Sequence, residues 1–294
     1  MTVELASSLQ ILRPYSNILA FYDGRIAGLR MFSPEPNWLD DGAFTLGCCS
    51  FAVVEGDEAL VYDTHMSIPH ARLIRRTLEA QGVTRMRVVL SHWHPDHIAG
   101  NAVFADCEII ANTLTAAAMV DNRERLENDT PPIKPVIMPT TTFETEITLR
   151  VGGTVVELRH LDIHSHDETV LLLPQSGVLL AGDTLEDTVT YVTQPKRLAI
   201  HLQDLARMES WAFTRILPNH GSVAMIEAGG YERNFIVATR LYIQKLLRLA
   251  AEPALAELSL ADFAADSLAS GGVSYFDAYE QVHRHNVEAV LAVR

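Results

Sequence analysis

"SHWHPDHIAGN", residues 91–101, sets three histidines and an aspartate within six positions, directly after the apolar run "MRVVLS" of residues 86–91. That run reads as a strand, so the cluster sits at a strand's C-terminal end. In an extended segment, side chains two apart share a face, and His92 and His94 therefore point together. Pro95 turns the chain away, and Asp96 and His97 in the turn beyond face a second point close by. Imidazole and carboxylate are ligands suited to zinc, iron or manganese. Four such side chains fill a core poorly but hold a cation well, provided the rest of the chain supplies the missing ligands.

The surrounding chain is globular in composition. It has 294 residues, 48% of them hydrophobic and 20% charged, enough to bury a core without staples. The 23 Lys+Arg against 37 Asp+Glu give a net charge of −14. Such a body repels phosphate backbones, which makes nucleic acid a poor partner. Bound divalent metal would reverse the sign locally. The expected partner is a small-molecule substrate, with a homodimer as an open alternative. Three cysteines, two of them adjacent (Cys48 and Cys49), do not suit a disulfide framework. Both lie in "FTLGCCSFAVV", which reads as a strand, so they are expected as buried filler, a thiolate ligand being the other reading. The N-terminus carries Glu4 and no basic region before an apolar stretch, and no apolar run reaches about 18 residues without a charge. No membrane contact and a cytoplasmic location are expected.

Short β-type runs open the chain: "NILAFYDG", "CCSFAVVEGD" and "EALVYDT", with Gly56-Asp57 reading as a hairpin turn. Residues 32–42, "FSPEPNWLDDG", read as a loop. Residues 68–82 show helical spacing at Ile68, Ala71, Ile74 and Leu78, with Gly82 as the stop. A short strand "CEIIA" and a helix from about residue 112 follow the histidine cluster. Residues 121–142, with four prolines, read as an irregular insertion of lid or substrate-loop type. Strands return at "TLRVG", "TVVELRHLD", "ETVLLLP" and "GVLLAGD". A helix is then marked by Phe235, Ala238, Tyr242, Leu246 and Leu249, and helical pieces near 258–269 and 274–292 end the chain. Two batches of strands with helices between and after them favour one α/β domain over 1–245. Residues 246–294 form a helical C-terminal extension packed on it.

"HWHPDH" matches the HxHxDH signature, and with it the chain resembles the metallo-β-lactamase fold superfamily. Its dinuclear members include lactonases, glyoxalase II-type thioesterases and ribonuclease Z. The resemblance implies three further ligands in order, and the sequence carries all three. They are His164 in "LDIHSHDETVLLLP", Asp183 in "VLLAGDTL" nineteen positions on, and His220 in "ILPNHGS". Asp63 in "VYDTH" is an added structural carboxylate. The implied fold is a four-layer αβ/βα sandwich of two mixed β-sheets flanked by helices. The implied ligand sets are His92, His94 and His164 for one ion and Asp96, His97 and His220 for a second, with Asp183 bridging. Departures are also visible. His166 competes with His164, Asp167 stands where the family often has Gly, and Asn219 replaces a Gly before His220. His65 replaces a loop Gly, with an expected effect of narrowing or polarising the pocket.

What the resemblance implies chemically is hydrolysis. Two divalent ions, zinc first and iron or manganese as alternatives, lie about 3.5–4 Å apart and lower the pKa of a shared water from about 15.7 to near 7. A metal-bridging hydroxide then attacks while Asp96 orients it and later passes a proton to the leaving group. Ester-like substrates (lactones, thioesters, carboxylic esters) fit, although the tyrosine that quorum-signal lactonases place three residues after the bridging aspartate is Glu186 here. The alternatives are a mononuclear-iron sulfur dioxygenase, β-lactam or phosphodiester hydrolysis, and a metal-keeping binding protein without turnover. The other histidines read as structural: His70 on a helix, His283 and His285 on an exposed C-terminal helix, and His160 and His201 without a partner motif. Lys196 and Arg197 in "PKR" read as solvated loop charges, contact with an anionic substrate group being the other reading, and Tyr191 and Trp38 as packing or pocket lining.

Overall fold

The strand residues alternate between two apolar surroundings, and that alternation builds the layers. The computed structural model describes residues 2–3, 5–24 and 30–293. One sheet has seven strands in sequential order: β1 (Leu9–Tyr15), β2 (Ile18–Asp23), β3 (Cys48–Glu55), β4 (Glu58–Tyr62), β5 (Arg85–Val89), β6 (Glu108–Asn112) and β7 (Thr141–Phe143). It is antiparallel up to β4 and parallel from there. The second sheet orders β8 (Glu146–Val151), β9 (Thr154–His160), β10 (Thr169–Leu173), β11 (Val178–Gly182) and β12 (Arg215–Pro218). Only its last pair is parallel.

Along β2, Ile18, Ala20 and Tyr22 join one apolar cluster with Leu171, Leu173 and Leu180 of the facing sheet. Leu19 and Phe21, pointing the other way, join Ile74 and Leu78 of helix α1 (Ile68–Ala80). Val170, Leu172 and Leu179 likewise face Leu205 of α4 (Leu198–Glu209) and Phe235, Tyr242 and Leu246 of α5 (Asn234–Arg248). Three buried interfaces separate four layers, because a strand buried on both faces must be apolar at every position. Helices cover both outer faces, as the αβ/βα reading requires. Leu249, Leu260, Phe263, Tyr279 and Val282 belong to the same cluster as the second sheet. The chain after residue 245 thus shares the apolar cluster of the helical layer over that sheet, and the last helix, α6 (Tyr279–Ala292), packs against α5.

The stretch 121–142 is not irregular throughout. It follows α2 (Thr113–Asp121), forms a short helix α3 (Arg123–Asn128), and ends in β7. Leu126, Ile133 and Val136 are buried in the α1-side core. Those three apolar anchors give it a fixed course where its prolines suggested a free loop. The loop at 32–42 likewise holds a helical turn, Trp38–Asp40, capped by Asn37. His70 faces inward from α1, bonded to Ser67 and Asp23. His283 is buried too, against Tyr242 and Phe263. The expectation of an exposed His283 fails because α6 turns that face onto α5, while His285, two residues on, is exposed.

Candidate metal centre

Strand ends deliver the site. Asp63 follows β4, and residues 91–97 follow β5, its parallel neighbour. Asp183 follows β11, His220 follows β12, and His164 lies in the β9–β10 connection. The turn Pro95–Ile98 is a four-residue helix that presents Asp96 and His97. It docks on the β4 exit, where Thr64 N donates to His97 O at 2.8 Å. A Cβ on Gly100 would sit 2.1 Å from Thr64 O, so only glycine allows this approach. Gly182, at φ +57°, has Glu168 Oε1 where its Cβ would lie, which lets Asp183 leave β11 over that carboxylate.

The seven residues singled out in the sequence meet. His92 Nε2 is 2.8 Å and His164 Nε2 3.0 Å from His94 Nδ1, so three imidazole nitrogens converge on one another. Asp96, His97, Asp183 and His220 form a second, fully buried set. Asp183 Oδ2 reaches both: His97 Nε2 at 3.1 Å and His220 Nε2 at 3.5 Å, His164 Nε2 at 3.6 Å and His92 Nε2 at 3.7 Å. His166 is not among them. It is half-buried, and its Nδ1 accepts from Gln194.

The opposite ring nitrogens of His92, His97, His164 and His220 are held from behind, which fixes the orientation of those four rings. His97 Nδ1 is 2.9 Å from Asp63 Oδ2, which also accepts from Asn219 Nδ2 at 2.6 Å. The Asn219 departure thus becomes a second support for Asp63. His220 Nδ1 donates to Gly47 O at 2.8 Å, and His164 Nδ1 to Tyr191 O at 3.0 Å. Behind His92 Nδ1 lie Ser91 Oγ at 3.0 Å and Glu168 Oε2 at 3.2 Å. Asp167 ties the two loops, accepting from Trp93 N at 3.0 Å and from Ser165 Oγ. Burial, reinforced by neighbouring imidazoles, holds His92 and His94 well below the usual histidine range. Burial acts the same way on His97 and His220, but the carboxylates of Asp96 and Asp183 override it and raise both well above that range.

These features suit a divalent cation. Three nitrogens facing one another cannot all be satisfied by the hydrogens of neutral imidazoles, and Asp183 Oδ1 is buried with no partner among the described residues. The carboxylates draw positive charge to this spot. The ligand types are those that zinc, iron and manganese accept.

Above the two sets opens a cavity of about 440 Å³. Trp38, Phe44, Trp93 and Tyr191 make its aromatic wall, and Asp41, Arg125, Asp129, Glu186 and His285 are the charged or titratable groups around it. Trp38 and Tyr191 thus line the pocket. His65 does not: it is buried, stacked on His70 with ring centroids 4.3 Å apart. Its φ of +70° keeps the backbone course of a glycine while the ring turns into the core. Glu186 is buried, accepts from Tyr191 N at 2.8 Å and Tyr279 Oη at 3.2 Å, and lies 3.4 Å from His164 Nδ1. Its only sequence signal was its place three residues after Asp183. His285 reaches the wall by packing on Tyr191, ring centroids 4.6 Å apart, and no local pattern announces that. Lys196 and Arg197 stay outside the wall, Arg197 paired with Asp162.

Two sheets packed face to face, with a histidine–aspartate double set at one end, define a metal-binding αβ/βα sandwich. The chain belongs to the metallo-β-lactamase superfamily, whose family model matches residues 45–255. Among similar proteins are the lactamase-like protein notP of Aspergillus sp. (strain MF297-2), 29% identical over 182 residues, and the atrochrysone carboxyl ACP thioesterase nsrC of Aspergillus novofumigatus, 28% identical over 184. These alignments cover 61% and 62% of this chain, and 51% and 52% of the relatives. The chain spans about half the length of the curated relatives it matches. A metallo-β-lactamase from Pontibacter korlensis superposes with a TM-score of 0.60 at 17% identity, covering 80% of this chain and 99% of that one. The DIM-1 metallo-β-lactamase gives 0.56 at 18%, covering 78% and 97%. Among the described residues no helix is long and apolar enough to cross a membrane.

Proposed function

We propose that the chain is a metal-dependent hydrolase that cleaves the thioester of an acyl group small enough for the aromatic cavity. The observation that carries this reading is Asp183 Oδ2, which lies within reach of ring nitrogens from both histidine sets. His92, His94 and His164 would hold one divalent ion and Asp96, His97 and His220 the other, with Asp183 shared; zinc is the first candidate, then iron or manganese. Bound there, such ions supply Lewis acidity and make water a nucleophile at neutral pH.

The chain's own groups supply the rest. Asp63, Gly47 O, Tyr191 O and Glu168 fix the rings, so the site is organised before substrate arrives. Trp38, Phe44, Trp93 and Tyr191 hold the acyl group and exclude bulk water from it. Asp96, at the cavity floor, takes a proton from the attacking water and returns it to the departing sulfur. The carbon–oxygen bond forms, the carbon–sulfur bond breaks, and acid and thiol leave. The relatives named as thioesterases favour a thioester over a lactone or carboxylic ester, and Glu186 in the tyrosine position of lactonases agrees. The net charge of −14 weighs against phosphodiesters of nucleic acid. The complete second set weighs against a mononuclear iron dioxygenase.

Metal quantification joined to a panel of thioester, lactone, carboxylic ester, β-lactam and phosphodiester substrates tests the reading. Two divalent ions per chain with fastest cleavage of thioesters is the expected result. One iron per chain with oxygen consumption on a persulfide would overturn it.

A further inference from the structure

The cavity wall carries one cation that the hydrolytic reading leaves without a task. Arg125 lies on α3 and is the only lysine or arginine lining the cavity among the described residues. Its companions there are acidic, and most are already engaged. Asp41 accepts from Tyr191 Oη, Asp129 from Thr130 N, and Glu186 from Tyr191 N and Tyr279 Oη. On the same short helix Arg123 pairs with Glu127, four residues on. Arg125 makes no such pair with Asp129, at the same spacing, nor with any other described carboxylate. Its guanidinium lies over the indole of Trp93, 4.8 Å from the ring centroid.

Arg125 is itself exposed, but the segment that carries it is anchored on both sides. Leu126, next to Arg125, is fully buried in the α1-side core, and Leu126 O accepts from Ile133 N at 2.8 Å. Trp38 closes the other side of the segment, its backbone N donating to Thr130 O and its Nε1 to Pro131 O. Trp93 is itself pinned between His92 and His94 through Asp167. A guanidinium held over an aromatic face by cation–π attraction spends none of its N–H groups on that contact and keeps them for hydrogen bonds. An arginine in that state is a receptor for a carboxylate or a phosphate.

We infer that Arg125 and Trp93 form a substrate subsite for an anionic oxygen group, so that the thioester cleaved by this chain carries a carboxylate on its acyl half or a phosphate on its thiol half. The inference rests on the thioester reading of the cavity. Benzoyl-N-acetylcysteamine is the neutral probe, 4-carboxybenzoyl-N-acetylcysteamine places the anion on the acyl half, and benzoyl-coenzyme A places it on the thiol half. With the metal-loaded full chain, one of the two anionic probes should exceed the neutral one in kcat/KM by about tenfold, mostly through KM. In Arg125→Gln that ratio should fall to about one, and Arg125→Lys should restore part of it. A ratio near one in the wild type, or one that survives in Arg125→Gln, overturns the subsite. If none of the three thioesters is cleaved, the thioester reading falls and a binding measurement decides the subsite instead. Calorimetric titration with 2-naphthalenesulfonate, an aromatic anion that coordinates divalent metal poorly, should then show about tenfold weaker binding to Arg125→Gln than to wild type. Equal binding, or none to either, overturns it.

Discussion

The chain buries two histidine clusters, and they are built on opposite logic. In the first, His70 is closed on both sides, its Nδ1 2.6 Å from Ser67 Oγ and its Nε2 against Asp23, which also accepts from Ser8. His65 stacks flat on it, and His65 Nδ1 accepts from Met66 N at 2.9 Å. Around His70 every polar contact joins a donor to an acceptor, and only His65 Nε2 is left buried without a partner among the described residues, facing no other lone pair; the cluster ties β2 to the start of α1. In the second cluster the outer nitrogens of His92, His97, His164 and His220 are closed in the same way, but the inner ones face each other and Asp183 beneath an open cavity. Burial and histidine density are common to both. What separates a binding centre from a structural clasp is whether unshared lone pairs converge.

The sharpest way to break the contrast is Asp183→Asn. Metal content should fall toward one ion per chain and hydrolysis by several orders of magnitude, with the fold kept. Elemental analysis beside initial rates checks this, and unchanged stoichiometry and rate would reject the shared-ligand role. The mirror experiment is Asp23→Ala, which leaves His70 buried without its partner. It should cost roughly 3 kcal/mol of stability in denaturant unfolding while the metal content of the folded fraction stays as in wild type. Loss of metal without loss of stability would mean that the two clusters are not separable.

Asp63→Asn probes the back of the second cluster, weakening the hold on His97. Metal affinity measured by chelator competition should drop about 10–100-fold. No change would show that Asn219 and Ser91 suffice to set the ring. The smallest effect is a pH dependence confined to the clasp. Burial works to raise the Asp23 carboxyl, but bonds from His70 and Ser8 lower it below its ordinary value of 3.8. A carboxylate lowered in the folded state adds stability that is complete above that ordinary value and fades as pH falls through the folded one. The stability gap between wild type and Asp23→Ala should therefore shrink as pH drops below about 4. A gap that widens there would reverse the assignment.

Much of this was legible along the chain. Residues 92–97 declare themselves because the ligands are adjacent, and His164, Asp183 and His220 because the family resemblance implies ligands in that order at strand ends. The strands were legible from apolar runs such as "VLLLP" and "GVLLAG", which both sheet faces bury. Arg125 and His285 were not, and Glu186 only through its place three residues after Asp183, since nothing local distinguishes a pocket-lining side chain from a solvated one. His65 and His283 misled for the same reason: their environments are made by α1 and α5, distant in sequence or hidden by a turn in the backbone.

The sequence by itself determined the two batches of apolar strands and the ligand-rich turn at 92–97, and through the family resemblance it carries it implied the four layers and the seven candidate ligands, because apolar runs and motif spacing are properties of neighbouring residues. Only the tertiary structure decided which histidines are clasps, which carboxylates stand behind the rings, and that the segment after α2 brings a cation to the cavity wall. Those outcomes depend on contacts between segments far apart along the chain, and lone pairs converge only once the strands that carry them have been packed into place.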